Sequence, residues 1–101
     1  MNAVERLWRA LGAEDWASAR SQFRPNATVE WPPGAERLDV DEYLARTRSR
    51  ARGPIEVRRV VAEGRYVAVD AVAGDARCGG FYDLHDGLIV SAVEYWVGDA
   101  A

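Results

Sequence analysis

The sequence predicts an α+β domain in which helices cover one face of a curved antiparallel sheet. Three observations predict it. Helical periodicity with start and stop signals dominates the first half, the apolar period changes to two from Ile55 onward, and Gly-containing turns then recur at intervals that suit antiparallel strands. Helices that precede strands, instead of alternating with them, give layers of this kind. At 101 residues, 49% of them hydrophobic, there is room for one core, so residues 1–101 are expected to form a single domain.

The elements follow in chain order. Asn2 and Glu5 have the spacing of a capping box, Val4, Leu7, Trp8 and Leu11 form one apolar stripe, and Gly12 ends the helix. A second short helix is expected from about Glu14 to Phe23, with Trp16, Ala19 and Phe23 on a common side and Pro25 preventing continuation. A strand from Ala27 to Trp31 precedes the breaker Pro32-Pro33-Gly34. Asp39 and Glu42 again read as a cap with its partner three residues on, followed by Val40, Tyr43, Leu44 and Thr47 at helical spacing, until Gly53-Pro54 closes the third helix. Strands are expected near Ile55 to Ala62, Arg65 to Ala73, Ala76 to Leu84 and Leu88 to Val97, joined at Glu63-Gly64, Gly74-Asp75 and Asp86-Gly87. The alternation breaks at Arg58-Arg59-Val60-Val61, which is where a bulge is expected. No internal repeat or low-complexity tract interrupts the pattern.

Composition removes several classes of function. All thirteen cations are Arg, so the lysine of a Schiff base or P-loop is missing, and a formal charge of −3 lacks the basic excess of a nucleic-acid-binding surface. A single Cys, Cys78, and a single His, His85, cannot supply Cys pairs or a two-histidine set, so neither metal nor cofactor is expected. No apolar run approaches a membrane span and MNAVERLWRA lacks the apolar segment of a signal peptide, so the expected location is the cytoplasm, with no membrane partner.

Alternation on the last strand puts Val90, Ala92, Glu94 and Trp96 on one side and Ser91, Val93 and Tyr95 on the other. If the first set faces the space under the helices, Glu94 is a carboxylate among apolar neighbours, and burial poises it for proton transfer near neutral pH. The bland alternative is an ion pair with an Arg. Cys78, Gly80 and Tyr82 share one face of the preceding strand, where the Gly79-Gly80 pair either opens a pocket wall or marks a twist. Asp70 reads as an outer-face charge and His85 as a solvated turn residue. Arg46, Arg48, Arg50 and Arg52 read as a solvated helix end, with an acidic or phosphate contact as the alternative. Trp8, Trp16, Phe23 and Tyr43 sit on helical stripes and belong first to the core, Tyr43 being the one whose hydroxyl could reach a pocket.

The order helix, helix, strand, helix and four strands, with Trp8, Asp15-Trp16, Pro25-Asn26-Ala27-Thr28-Val29-Glu30-Trp31, Asp86-Gly87-Leu88-Ile89 and Glu94-Tyr95-Trp96 at its landmarks, resembles the nuclear transport factor 2-like superfamily and its SnoaL-like polyketide cyclase branch. The resemblance implies a cone-shaped sheet around one deep pocket, and a homodimer through the outer sheet face, where Tyr66, Phe81, Val93 and Tyr95 are the candidates. It also implies that the end of the first strand lines the pocket, which adds Glu30 and Trp31, although alternation admits only one of the two. Limonene epoxide hydrolases are similar in the carboxylate at Glu94, but their second carboxylate and arginine map near Ala73 and Ala71. Ketosteroid isomerases are similar in Tyr95-Trp96, but their proton-donating acid maps to Cys78–Gly80, where no acid sits, and their first-helix tyrosine is missing.

These readings together describe a SnoaL-like protein with an apolar pocket, expected to act as a cofactor-free isomerase or cyclase on a small apolar carbonyl compound. Glu94 would be the acid or base and Tyr82 or Tyr43 a hydroxyl donor, with Trp31, Glu30, Cys78, Gly80, Ala92 and Trp96 lining the ligand site. The alternatives are a non-catalytic module that binds a small ligand or a protein, and a scaffold whose interior is filled by its own side chains.

Overall fold

The structure is a computed structural model and describes residues 1–34, 36–50 and 53–98. Helix α1 (Ala3–Gly12) starts where expected. The Asn2 side chain accepts the Glu5 backbone N–H at 2.9 Å, and the Glu5 carboxylate accepts the Asn2 N–H at 2.9 Å. Its stripe of Val4, Leu7, Trp8 and Leu11 is buried. Helix α2 (Trp16–Arg20) is shorter than the sequence suggests, because Ser21 and Gln22 turn and Phe23 already opens strand β1 (Phe23–Trp31). Pro25 thus lies inside β1. It has no N–H to donate, and the pairing of β1 shifts register between Phe23 and Thr28.

A strand that periodicity does not reveal, β2 (Glu36–Asp39), pairs antiparallel with β1 from Thr28↔Asp39 to Trp31↔Glu36. It is an edge strand of four residues with three charges, so it carries no apolar run to read; Leu38 turns into the core. Helix α3 (Val40–Arg50) follows at once, capped reciprocally: Asp39 accepts the Glu42 N–H at 2.8 Å and Glu42 accepts the Asp39 N–H at 3.0 Å. Val40, Tyr43, Leu44 and Thr47 are its buried face.

Strands β3 (Ile55–Glu63), β4 (Tyr66–Ala73), β5 (Ala76–His85) and β6 (Leu88–Val97) form the expected antiparallel meander. The expected bulge is present, as a register shift between Val57 and Arg59. The sheet order is β2-β1-β6-β5-β4-β3, curved and not closed. One pairing departs from an all-antiparallel sheet: β1 and β6 run parallel, with Val29↔Ala92 and Glu30↔Val93. That pairing brings the end of β1 beside Glu94. The helices pack on the inner face, over Val29, Val69, Ala71, Cys78, Tyr82, Ile89 and Ala92. No helix among the described residues is long and apolar enough to cross a membrane.

The cap at Asp39 fixes the start of the helix that carries Tyr43. Asp39→Ala is expected to destabilise the fold by about 1 kcal/mol, read as a lower urea midpoint with an unchanged slope.

Candidate functional site

Glu94 is fully buried, at 0% exposure, on the inner face of β6. Four side chains from four elements donate hydrogen bonds to it. Trp31 of β1 and Trp96 of β6 each donate an indole N–H to Oε1 at 3.1 Å. Tyr43 of α3 donates its hydroxyl to Oε2 at 2.9 Å, and Tyr82 of β5 donates to the same oxygen at 2.5 Å. Behind Tyr82, the indole N–H of Trp8 on α1 donates to the Tyr82 hydroxyl oxygen at 3.1 Å.

Local geometry explains why these residues meet. On β5, Gly80 pairs with Glu94, and the Tyr82 ring leans back along the strand over Gly80. A Cβ at Gly80 would lie 2.5 Å from the Tyr82 hydroxyl, so a residue without one is required for that hydroxyl to reach the carboxylate. Gly80 therefore makes room for the ring, whereas a Cβ at Gly79 would meet open space. Trp31 and Trp96 meet edge to face with ring centres 6.5 Å apart, and Tyr43 packs against Trp31 at 5.9 Å. Over the two indoles lies the Arg50 guanidinium, 4.9 Å from the Trp31 ring centre and 5.9 Å from that of Trp96.

Burial pushes the Glu94 carboxyl above the usual range, and the hydrogen bonds from Tyr82, Tyr43, Trp31 and Trp96 pull it back only in part. Burial and the Glu94 charge hold the Tyr43 and Tyr82 phenols well above their ordinary value, so both stay protonated donors. The Cys78 thiol is raised by the same two causes and is inert as a nucleophile.

Of the residues singled out from the sequence, Glu94, Tyr82, Tyr43, Trp31 and Trp96 come together, with Cys78, Gly80 and Ala92 beside them on the inner face. Glu30 does not join them. Side chains alternate along β1, Trp31 takes the inner face, and Glu30 turns outward to pair with Arg37 at 3.1 Å. An ion pair with an Arg, the bland alternative for Glu94, is not what holds it: its described partners are two phenols and two indoles. These aromatic side chains pack directly around Glu94. A groove of about 450 Å³ lies between α1 and β3, lined by Trp8, Glu5, Arg9, Ile55 and Val60.

Asp70 is an outer-face charge as expected, paired with Arg77 at 2.7 Å, and His85 is exposed at its turn. The arginine run at the end of α3 is more than a solvated end, since Arg50 stacks on two indoles and Arg48 lies over Trp16; Arg52 lies outside the described residues. Three members of the site were missed by sequence reasoning: Trp8, Arg50 and Thr47, whose hydroxyl is buried without a partner. Trp8 and Thr47 were hidden because they occupy regular positions of apolar helical stripes. A polar residue on such a stripe, one turn after Tyr43, was the available signal for Thr47. Among the described residues, no group of three or more His, Cys, Asp or Glu side chains could hold a metal ion.

The layering of three helices on the inner face of this six-stranded sheet is the nuclear transport factor 2-like fold. A nuclear transport factor 2-like protein of unknown function from Burkholderia xenovorans LB400 superposes with a TM-score of 0.79 at 23% identity, over 96% of this chain and 81% of that one. IdmH from Streptomyces antibioticus, provisionally described as a polyketide cyclase, gives 0.80 at 17% identity, over 93% and 88%. A protein from Kribbella flavida DSM 17836, provisionally described as a ketosteroid isomerase, gives 0.77 at 23% identity, over 98% and 78%. No protein-family model matches the sequence, and no curated protein matches it.

The raised Glu94 carboxyl makes a signed prediction. The folded chain holds this proton more tightly than the unfolded chain, whose carboxyl titrates near 4.5. The resulting stability is fully present below that value and is lost as pH rises through the folded value. Relative to Glu94→Gln, the wild-type urea midpoint is therefore expected to fall as pH rises from about 4.5; parallel pH profiles for the two proteins would contradict it.

Proposed function

We propose that the chain is a cofactor-independent acid–base catalyst of the isomerase or cyclase kind, in which Glu94 moves a proton on a small apolar carbonyl compound. The observation that carries this reading is the setting of Glu94: a titratable carboxyl inside an apolar interior, raised by burial, sharing one oxygen with two phenol hydroxyls. Packing alone does not call for it, because apolar residues commonly replace buried charged groups without loss of stability. Perturbed carboxyls of this kind concentrate at functional sites.

The chemistry follows from the donors. Ionised Glu94 takes a proton from the carbon next to a carbonyl, and the electron pair moves onto the carbonyl oxygen. Tyr43 and Tyr82, both kept protonated by burial, supply hydrogen bonds to that developing oxyanion. Return of the proton to another carbon completes an isomerisation; attack of the enolate carbon on a second carbonyl, which takes the proton, completes a ring closure. The groove between α1 and β3 supplies the approach, since the Trp8 ring lines it and the Trp8 N–H holds Tyr82. The neighbours described as a ketosteroid isomerase and a polyketide cyclase support the reading at the level of fold alone.

A second surface favours association. Tyr66, Phe81 and Tyr95 are 58%, 55% and 48% exposed on the outer sheet face, where a groove of about 450 Å³ also takes in Val61, Ala68 and Val93. We propose that two copies pair through this face.

Small apolar ketones titrated against tryptophan fluorescence are expected to bind saturably to wild type, and deuterium exchange beside the ketone carbonyl is expected to drop about 100-fold or more in Glu94→Gln. Binding without exchange would leave a non-catalytic ligand module; no binding would remove the ligand site altogether. Light scattering at micromolar concentration is expected to give a dimer mass for wild type and a monomer mass for Phe81→Glu. A monomeric wild type would refute the pairing.

A further inference from the structure

The hydrogen bonds around Glu94 restrict where a proton can sit. Indole nitrogens donate and never accept. Oε1 faces the N–H groups of Trp31 and Trp96, so a proton placed there would meet two donors. The proton that Glu94 gains therefore belongs on Oε2, between the two phenols.

The phenols are not equivalent. The Tyr82 oxygen already accepts the Trp8 N–H, and its only other partner among the described residues is Glu94. If Tyr82 accepted a proton from Glu94, its own hydroxyl hydrogen would be left buried without an acceptor, a costly state. Tyr43 is free of that lock. One helical turn further along α3, Thr47 is 3% exposed, and its hydroxyl lies close enough to Tyr43 to influence the phenol. That hydroxyl makes no hydrogen bond in this state. An unpartnered buried polar atom calls for a reason, and here the reason is a second arrangement of the same hydrogens.

We infer that a proton gained by Glu94 sits on Oε2 and is donated to the Tyr43 oxygen, while the Tyr43 hydroxyl hydrogen turns to Thr47 Oγ1. No bond to a heavy atom changes in that step apart from the one made by the incoming proton; the phenol O–H rotates. Thr47 is then a positioning residue, the reserve acceptor that lets the carboxyl change state inside the core. The groups facing Glu94 agree with this assignment. Tyr43 on α3 and Tyr82 and Cys78 on β5 stay neutral, α1 presents Trp8, and Arg50 stands behind the indoles of β1 and β6 in both states.

The inference shares with the proposed function the premise that Glu94 titrates inside the folded chain, but its test does not depend on turnover. With carbon-13 in the glutamate carboxyls, the Glu94 titration midpoint is expected to fall by about one pH unit in Thr47→Val, the worth of one hydrogen bond to the protonated form. Thr47→Ser is expected to restore the wild-type midpoint. Thr47→Val removes only an unpaired hydroxyl, so its thermal stability near neutral pH is expected to match or exceed wild type, and this reports on folding separately. A midpoint in Thr47→Val that coincides with wild type, or rises, overturns the inference. A downward shift in a protein that exchanges no ketone hydrogens would uphold it and remove the proposed catalysis; exchange without the shift would do the reverse.

Discussion

The constraint on which the rest of the molecule depends is the burial of one carboxylate without a directly bonded cation. Taking such a group out of water costs several kcal/mol even after relaxation, and nothing about a β-strand compensates for it. The fold compensates by aiming donors at it from every side. Strand β1 contributes Trp31, α3 contributes Tyr43, β5 contributes Tyr82 and β6 itself contributes Trp96, while α1 braces Tyr82 through Trp8. These five elements are thereby tied to one another by polar bonds as well as by apolar contact. Such a network is demanding: a hydroxyl that loses its partner here has no water to replace it.

The two faces of the sheet divide the work. The inner face is apolar apart from this network, and its small residues, Ala71, Ala92 and Gly80, give the large rings room. The outer face carries ion pairs, Asp70 with Arg77 and Asp83 with Arg65, set among exposed aromatic rings. Exposed pairs of that kind contribute little to stability. They keep an aromatic surface wetted, while the inner network fixes which way each buried side chain points.

Much of this was legible in the sequence, and the limits have physical causes. Period-two alternation placed Glu94, Trp96 and Ala92 on one side of β6 and Tyr82 with Gly80 on one side of β5, and both hold; Val90, expected with the first set, gives way to buried Ile89, because the pairing with β5 shifts register there. The caps of α1 and α3 were readable because their donors and acceptors are local in sequence. Strand β2 was not readable, because its four residues hold one apolar side chain, Leu38, and show no period. The ambiguity between Glu30 and Trp31 could not be resolved within β1, since its register is set by β6, some sixty residues away. Trp8 and Thr47 look in the sequence like any other stripe residue. Their importance lies in where one polar atom points, and periodicity does not carry that information.

The parallel neighbourhood of β1 and β6 bears on how the chain gets built. Strands β3 to β6 can zip up hairpin by hairpin as they leave the ribosome, each finding its partner in the segment just made. Strand β1 has no such option: apart from the four residues of β2, its partner is β6, made some sixty residues later. Trp8, Trp31 and Tyr43 therefore wait, with their polar atoms unpaired, until Tyr82 and Glu94 have been made. Assembly of the interior is a closing event, in which β6 is inserted between β1 and β5 and brings the charge in with it.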